Sequence, residues 1–239
     1  MIPVLISGGI AIAVSLFGTP LFIKFLVRKQ YGQFIRQDGP TSHHTKRGTP
    51  TMGGVVIIAA TLVGYFFANL VSYWRTGSTP SVSGLLLLFL MVGLGLVGFA
   101  DDFTKISRQR SLGLSPWAKI IGQGSVGIAF SLLALNFAND HGFTPASTGI
   151  SFIRDTGISL AFAGSAVAVL LFVIWANFLV TAWSNAVNLT DGLDGLATGV
   201  SIFAFGAYVL VTMWQFNQSC GNVLAGPRCY ETRDPLDLA

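Results

Sequence analysis

Long uninterrupted runs of apolar residues dominate the hydropathy pattern of this chain. They predict six helices, at about 2–27, 51–73, 82–100, 117–138, 158–183 and 196–216. A helix needs roughly 20 apolar residues to cross a bilayer. The run VSGLLLLFLMVGLGLVGFA (82–100) carries no charge, whereas a core helix of a soluble protein would show a polar stripe. The pattern therefore predicts an all-α fold, a polytopic transmembrane bundle of six spanning helices.

The composition supports a membrane protein. Of the 239 residues, 52% are hydrophobic and only 10% are charged, with a mean hydropathy of +0.66. Soluble domains average about 25% charged residues. No soluble domain or repeat divides the chain, so we expect one membrane-embedded helical domain over residues 1–239. The final stretch ETRDPLDLA has the character of the start of another segment, and we expect a C-terminal truncation.

Basic residues are distributed unevenly among the predicted loops. If the helices alternate in direction, residues 28–50, 101–116 and 184–195 share one side of the membrane. With flanking positions, that side holds ten of the fourteen basic residues: Lys24, Arg28, Lys29, Arg36, Lys46, Arg47, Lys105, Arg108, Arg110 and Lys119. The positive-inside rule makes this side cytoplasmic and places the N-terminus outside. The net charge of +4 is thus a topology signal that needs no nucleic acid partner.

Two cysteines, Cys220 and Cys229, fall in the last predicted external loop. An extracytoplasmic space sustains disulfides, so the two residues can form one. A pair of free thiols is the alternative. No histidine or further cysteine lies near them in the sequence, which argues against a metal site.

An aspartate pair lies at the predicted cytoplasmic end of the third helix, as Asp101 and Asp102. Charges at a low-dielectric boundary are costly unless they are compensated. On a continuous helix, adjacent side chains diverge by about 100°, so we expect that the two carboxylates do not easily share one ligand.

A second polar stretch, NAVNLTDGLDG (185–195), follows the predicted fifth helix. It places Asn185, Asn188, Asp191 and Asp194 three residues apart. Steps of three drift around a helix of 3.6 residues per turn, and glycines follow both aspartates. The stretch therefore predicts a loop that folds amide and carboxylate oxygens around one centre.

Oxygen ligands beside lysines and arginines indicate a particular chemistry. Such surroundings suit Mg²⁺, and Mg²⁺ with cations suits a phosphate or pyrophosphate substrate. One alternative is that these acids only form salt bridges with the loop bases. Another is a transporter, but its acids would lie near the middle of the membrane and not at the edges.

Two other patterns have simpler explanations. The GLGLVG stretch (93–98) fits a dinucleotide-binding pattern, but it lies inside a spanning segment, where small residues serve close helix packing. His43 and His44 are adjacent in a loop, and solvation explains them better than metal binding.

Three motifs resemble, in order and spacing, those of one enzyme family. They are GTPTMGG (48–54), GFADDFTKI (98–106) and NAVNLTDGLDGLA (185–197). Together they are similar to the phospho-N-acetylmuramoyl-pentapeptide-transferases, within the polyprenyl-phosphate N-acetylhexosamine-1-phosphate transferase superfamily. The aspartate pair and the Asn/Asp motif are shared across the superfamily, whereas TPTMGG after a basic loop is typical of this family. The resemblance runs the length of the chain.

The resemblance implies a reaction and its partners. Undecaprenyl phosphate attacks the β-phosphate of UDP-MurNAc-pentapeptide, giving UMP and lipid I in the first membrane step of peptidoglycan synthesis. It also implies Mg²⁺ as the cofactor and a cytoplasmic site in the bacterial inner membrane. The bilayer is then a partner, and assembly as a homodimer is left open.

The resemblance also implies the residues of the site. Catalytic positions are Asp101, Asp102 and Asp191, with Asp101 a candidate base or lipid-phosphate contact and Asp191 a candidate metal ligand. The substrate-binding positions are Lys46, Thr51, Lys105, Lys119, Asn188 and Asp194.

Members of this family continue for several more spanning helices. A further aspartate that ligates Mg²⁺ and a histidine-rich loop belong to that later part. We therefore expect low or no activity from these 239 residues alone. A sibling enzyme that transfers GlcNAc-1-phosphate is the enzymatic alternative, and an inactive fragment is the other.

Overall fold

Six helices make up the framework of the protein. The computed structural model describes residues 2–32, 48–110, 112–138, 142–151, 155–191, 195–220, 229 and 232–238. The helices are α1 (Ile2–Arg28), α2 (Gly54–Thr76), α3 (Val82–Ser107), α4 (Pro116–Asn136), α5 (Ser165–Thr190) and α6 (Leu196–Gln218). All six are long and apolar enough to cross a membrane. The all-α prediction is confirmed, and the chain is a multi-pass membrane protein.

Helix length agrees with the thickness of a bilayer. The shortest helix, α4, has 21 residues. At about 1.5 Å per residue it spans about 32 Å, close to the roughly 30 Å of a hydrocarbon core. Because α3 has 26 residues, it extends beyond the uncharged run and carries the aspartate pair within the helix.

The predicted start of the fifth helix, at residue 158, is wrong. Strand β1 (Gly149–Ser151) pairs antiparallel with β2 (Asp155–Ser159), and a 3₁₀ helix (Leu160–Ala163) follows. Gly164, with φ of 101°, then separates the 3₁₀ helix from α5. The apolar residues of 158–163 look helical in sequence because short apolar runs fit a strand or a helix equally well.

The described residues form two compact units, Ile2–Thr79 with Met91–Gln123, and Pro80–Leu90 with Gly124–Ala239. In the first unit, α1 packs along α2 on a row of small buried residues, Ala60, Gly64 and Ala68. A Cβ atom at Gly64 would lie 2.6 Å from the carbonyl oxygen of Ser7. The missing side chain therefore allows the two backbones to approach closely.

Small-residue packing also explains part of the GLGLVG stretch. A Cβ atom at Gly95 would lie 2.3 Å from Cδ1 of Ile58 on α2. In the same unit, Gly122 of α4 faces Val97, and its Cβ would come within 3.1 Å of that side chain. These contacts support a packing role for the stretch.

In the second unit, the chain after α6 returns to the beginning of α3. The Ser81 backbone N–H donates to Oδ2 of Asp237 at 2.8 Å, and the Ser83 hydroxyl donates to Oδ2 of Asp234 at 2.6 Å. Carboxylates at a helix N-terminus satisfy free N–H groups and complement the helix dipole. These four residues form an acidic clasp on the start of α3.

A disulfide bond joins Cys220 to Cys229. Of the two alternatives that the sequence leaves open, the structure thus contains the bonded pair. Cys220 lies just beyond the end of α6, and its partner follows nine residues later in the sequence.

Candidate active site

The last turns of α3 carry two carboxylates and a lysine. Asp101 is buried, with 8% of the residue exposed, whereas about a third of the Asp102 side chain is exposed. Nζ of Lys105 lies 2.8 Å from Oδ2 of Asp101 and 2.8 Å from Oδ1 of Asp102. The two acids therefore share one cation.

This shared cation corrects the expectation that the two carboxylates would not easily share a ligand. Lys105 follows Asp102 by three residues and Asp101 by four, and residues at either spacing are neighbours on a helix surface. The long, flexible lysine stem lets its ammonium group lie between two side chains that start in different directions.

Asp101 receives two further donors from the start of α4 and the turn before it. Nζ of Lys119 lies 3.0 Å from Oδ1, and the backbone N–H of Leu114 donates to the same oxygen at 2.8 Å. Three donors thus converge on one carboxylate, which favours its charged form. These two contacts hold the turn before α4 and the start of α4 against the Asp101 carboxylate.

The two lysines of this cluster are half-buried and keep part of their surface open. Their side chains are 35% exposed for Lys105 and 37% exposed for Lys119. An ammonium group carries three N–H donors, and those not directed at aspartate can serve a ligand. The cluster therefore has the chemistry to contact an anionic oxygen, with Asp102 as its more exposed carboxylate.

Thr51 lies where the two described ends of the first loop meet. Gly32 and Pro50 form an isolated antiparallel bridge, and a Cβ atom at Gly32 would lie 2.7 Å from Gly48. The Thr51 hydroxyl oxygen is buried and has no hydrogen-bond partner within the described residues. A buried hydroxyl of this kind is available to a ligand or to a group outside the described residues.

Asn188 and Asp191 form a separate group, in the other compact unit. Helix α5 continues through Asn185 and Asn188 to Thr190, and Asp191 is its C-cap. The prediction of a loop is therefore wrong for the asparagine half of the motif, because the helix extends about two turns beyond the apolar run. Both Asn188 and Asp191 are exposed.

The chemistry of this second group fits a hard cation in part. Asn188 and Asp191 offer oxygen ligands three residues apart, and the free carbonyls at a helix C-terminus favour positive charge. Within the described part of the chain, no group of three or more His, Cys, Asp or Glu residues could hold a metal. Asp191 and Asn188 thus provide an incomplete ligand set.

Two predicted substrate-binding residues, Lys46 and Asp194, lie outside the described residues, as do Asp38, His43 and His44. The structure brings together Asp101, Asp102, Lys105 and Lys119. The Leu114 backbone donor could not be predicted, because no side-chain signal marks a backbone N–H. Gly113 was not among the predicted site residues, although SLGLSP is a recognisable turn sequence.

Comparison with known proteins shows the family of this chain. The model for glycosyl transferase family 4 matches residues 84–226. The chain belongs to glycosyl transferase family 4. Within the family, residues 46–58 match a signature of the phospho-N-acetylmuramoyl-pentapeptide-transferases. That signature includes Lys46 and Thr51.

Several curated relatives within glycosyl transferase family 4 are named phospho-N-acetylmuramoyl-pentapeptide-transferase. The Beutenbergia cavernae protein is 72% identical over 241 residues, covering 100% of this chain and 66% of the relative. The Renibacterium salmoninarum protein is 60% identical with the same two coverages. The Streptomyces avermitilis protein is 56% identical, covering 99% of this chain and 64% of the relative. The chain thus spans 64–66% of the length of these relatives.

Proposed function

We propose that the full-length protein transfers phospho-MurNAc-pentapeptide from UDP-MurNAc-pentapeptide to undecaprenyl phosphate. A phosphate oxygen of the lipid attacks the β-phosphorus of the nucleotide, the bond to the α-phosphate breaks, and UMP leaves. The product is lipid I. The observation that carries this proposal is the cluster of two aspartates and two lysines at the end of an apolar helix, in a chain whose relatives bear that enzyme's name.

The two aspartates have different roles in this proposal. Asp101 is buried and receives three donors, so its role is to hold Lys105 and Lys119 in place. Asp102 is more exposed and, in the described part of the chain, pairs with Lys105 alone, so it is the carboxylate that contacts the lipid phosphate or takes its proton. This assignment departs from the one implied by family resemblance, in which Asp101 is the candidate base.

The two lysines contact the pyrophosphate of the nucleotide substrate, and their main contribution is to stabilise the charge that builds on it during transfer. Charge-assisted N–H···O contacts are stronger than neutral ones, and fixed cations stabilise charge that builds on phosphoryl oxygens. Because Asp101 fixes both ammonium groups, little reorganisation is needed when substrate arrives. The buried Thr51 hydroxyl adds a neutral donor near the first loop.

Mg²⁺ is the proposed cofactor, with Asp191 as a ligand and Asn188 beside it. When bound, the ion neutralises negative charge on the transferring phosphoryl group. The carboxylate of Asp191 and the amide oxygen of Asn188 would supply part of its coordination, and further ligands would be needed to complete it.

The proposed location is the bacterial inner membrane, with the site on the cytoplasmic side. Lys105 and Lys119, both in the cluster, belong to the basic side of the chain. A nucleotide-linked substrate is made in the cytoplasm, whereas a polyprenyl phosphate resides in the bilayer. A site at the inner end of a spanning helix can contact both.

The experiment that tests this proposal is Mg²⁺-dependent release of UMP in detergent. The 239-residue chain and a version extended to the length of its relatives are each supplied with undecaprenyl phosphate and UDP-MurNAc-pentapeptide. UDP-GlcNAc replaces the nucleotide in a parallel reaction. We expect UMP release from the longer chain with the MurNAc substrate only. Release with UDP-GlcNAc alone would identify the sibling activity, and no release from either substrate would contradict the proposal.

A further inference from the structure

A glycine outside the helices lies against the buried carboxylate of the cluster. A Cβ atom at Gly113 would lie 2.2 Å from Oδ1 of Asp101, 2.6 Å from its Cγ and 2.8 Å from its carbonyl oxygen. Distances this short force something to move, because side-chain atoms do not approach within 3.0 Å of a real Cβ. The absence of a side chain at residue 113 therefore permits the closed turn.

Backbone conformation does not require glycine at this position. The left-handed glycines of the described residues include Gly77 and Gly195, with φ of 71° and 80°, whereas Gly113 is not among them. An alanine at residue 113 would therefore meet no torsional penalty of the kind found at those two positions. Contact with Asp101 is the remaining physical reason for glycine at residue 113.

The same oxygen of Asp101 is the point where the turn and α4 meet. Oδ1 accepts from the Leu114 N–H at 2.8 Å and pairs with Lys119 at 3.0 Å. A side chain at residue 113 would push this oxygen away from both partners at once. Any displacement passes to Lys105, which holds the other oxygen.

We propose that Gly113 is a positioning residue for the reaction. Because it has no side chain, the α3–α4 turn can pack against the Asp101 carboxylate. Asp101 in turn holds the Lys105 and Lys119 ammonium groups in place for the phosphate substrates. This role rests on the proposed transferase activity. Gly113 touches no substrate itself. It acts on the placement of the cations, so its loss affects the rate of the chemical step more than the binding of the nucleotide.

The test compares Gly113→Ala with Gly124→Ala in the full-length protein. Gly124 lies in α4, and a Cβ there would meet nothing within 4 Å. Misplacement of catalytic groups by about 1 Å can cost about 100-fold in rate. We expect Gly113→Ala to lower kcat about 10- to 100-fold while the KM for UDP-MurNAc-pentapeptide changes less than about 3-fold, and Gly124→Ala to change neither. An unchanged kcat in Gly113→Ala would overturn the proposal.

Thermal melting in detergent tests the contact independently of activity. We expect Gly113→Ala to lower the melting temperature by about 2–8 °C, since overpacking costs about 1–3 kcal/mol. In an Asp101→Ala background, the carboxylate atoms at 2.2 and 2.6 Å are gone, and the carbonyl oxygen of residue 101 at 2.8 Å remains. There we expect Gly113→Ala to cause less than half of that decrease.

The two readouts separate the possible failures. One outcome is that the unsubstituted protein releases no UMP while Gly113→Ala lowers the melting temperature less in the Asp101→Ala background. In that case the transferase proposal fails, and the contact between Gly113 and Asp101 has a structural role only. If Gly113→Ala does not fold, recovery of folded protein with Asp101→Ala supports the contact, and lack of recovery contradicts it. Equal melting decreases in both backgrounds would also overturn the proposal.

Discussion

At the residue scale, the cluster on α3 depends on one lysine that serves two acids. Lys105 lies 2.8 Å from both Asp101 and Asp102, and its ammonium offsets charge that would otherwise repel across adjacent side chains. Asp101 is further neutralised by Lys119, whereas among the described residues Asp102 is paired with the shared cation alone. Two chemically identical side chains thus have unequal surroundings, which is consistent with the different roles proposed for them.

Asparagine substitutions should separate the two tasks. We expect Asp102→Asn to lower kcat about 100-fold or more and to leave the melting temperature unchanged, because it removes a partly exposed base. Asp101→Asn should lower kcat and also reduce the melting temperature by about 5 °C, because it removes the carboxylate that Lys119 contacts and leaves Lys105 paired with Asp102 alone. UMP release and detergent melting measure both quantities. A larger melting decrease for Asp102→Asn would reverse the assignment.

Asp191→Asn keeps the shape of the side chain at the end of α5 and removes its charge. We expect the full-length protein to lose UMP release at any Mg²⁺ concentration, with no change in melting temperature because Asp191 is exposed. The matched control is Thr190→Val, since the Thr190 hydroxyl donates only locally, to the carbonyl oxygen of Ala186. Normal turnover by Asp191→Asn would remove this residue from the site.

What the sequence could predict at this scale was side-chain chemistry. Asp102 and Lys105 were recognisable because acids and bases are rare in an apolar chain. The packing of the α3–α4 turn against Asp101 was not recognisable. The Leu114 donor is a backbone N–H, and Gly113 matters because it lacks a Cβ atom. Neither feature can be inferred from the types of residue alone.

At the scale of elements, apolar runs predicted the six helices, since a spanning helix must satisfy its own backbone hydrogen bonds and face lipid. Outside the bilayer, an apolar run does not by itself indicate a helix. The hairpin of β1 and β2 is too short for a period to be visible, and its apolar residues merge with those of α5 in the sequence. The helical asparagines were also missed, because α5 continues beyond its apolar part.

Packing of α1 on α2 gives a prediction at this scale. We expect Gly64→Ala to reduce the free energy of unfolding by about 1–3 kcal/mol, because its Cβ would lie 2.6 Å from the Ser7 carbonyl oxygen. Gly8→Ala in α1 is the control, since a Cβ there meets nothing within 4 Å. Melting of both variants in the same detergent tests the difference. Equal stability of the two variants would show that the helices do not need this close approach.

At the scale of the whole molecule, two independent features indicate orientation. Ten of fourteen lysines and arginines belong to one side by alternation of the helices. The Cys220–Cys229 disulfide follows α6, whose end the same alternation predicts on the other side. Disulfides persist in oxidising compartments, so both features predict that the end of α6 is extracytoplasmic.

Thiol labelling in intact cells tests this orientation. We expect a membrane-impermeant maleimide to label Cys220 and Cys229 only after an external, impermeant reductant has opened the disulfide. The chain contains no other cysteine, so no background thiol needs to be removed. A Cys220→Ser, Cys229→Ser variant provides the unlabelled control. Labelling that requires permeabilised cells would place this end of α6 in the cytoplasm.

The acidic clasp on α3 also has a consequence for biogenesis. It joins Ser81 to Asp237 and Ser83 to Asp234, pairs separated by 156 and 151 residues. At about 5–20 residues per second, the ribosome reaches the aspartates about 8–30 s after the serines. During that interval the start of α3 is already made but has no carboxylate partner, so water or lipid headgroups must accept from the Ser81 N–H and the Ser83 hydroxyl. Correct seating of the third helix is therefore completed only after the sixth helix has been inserted.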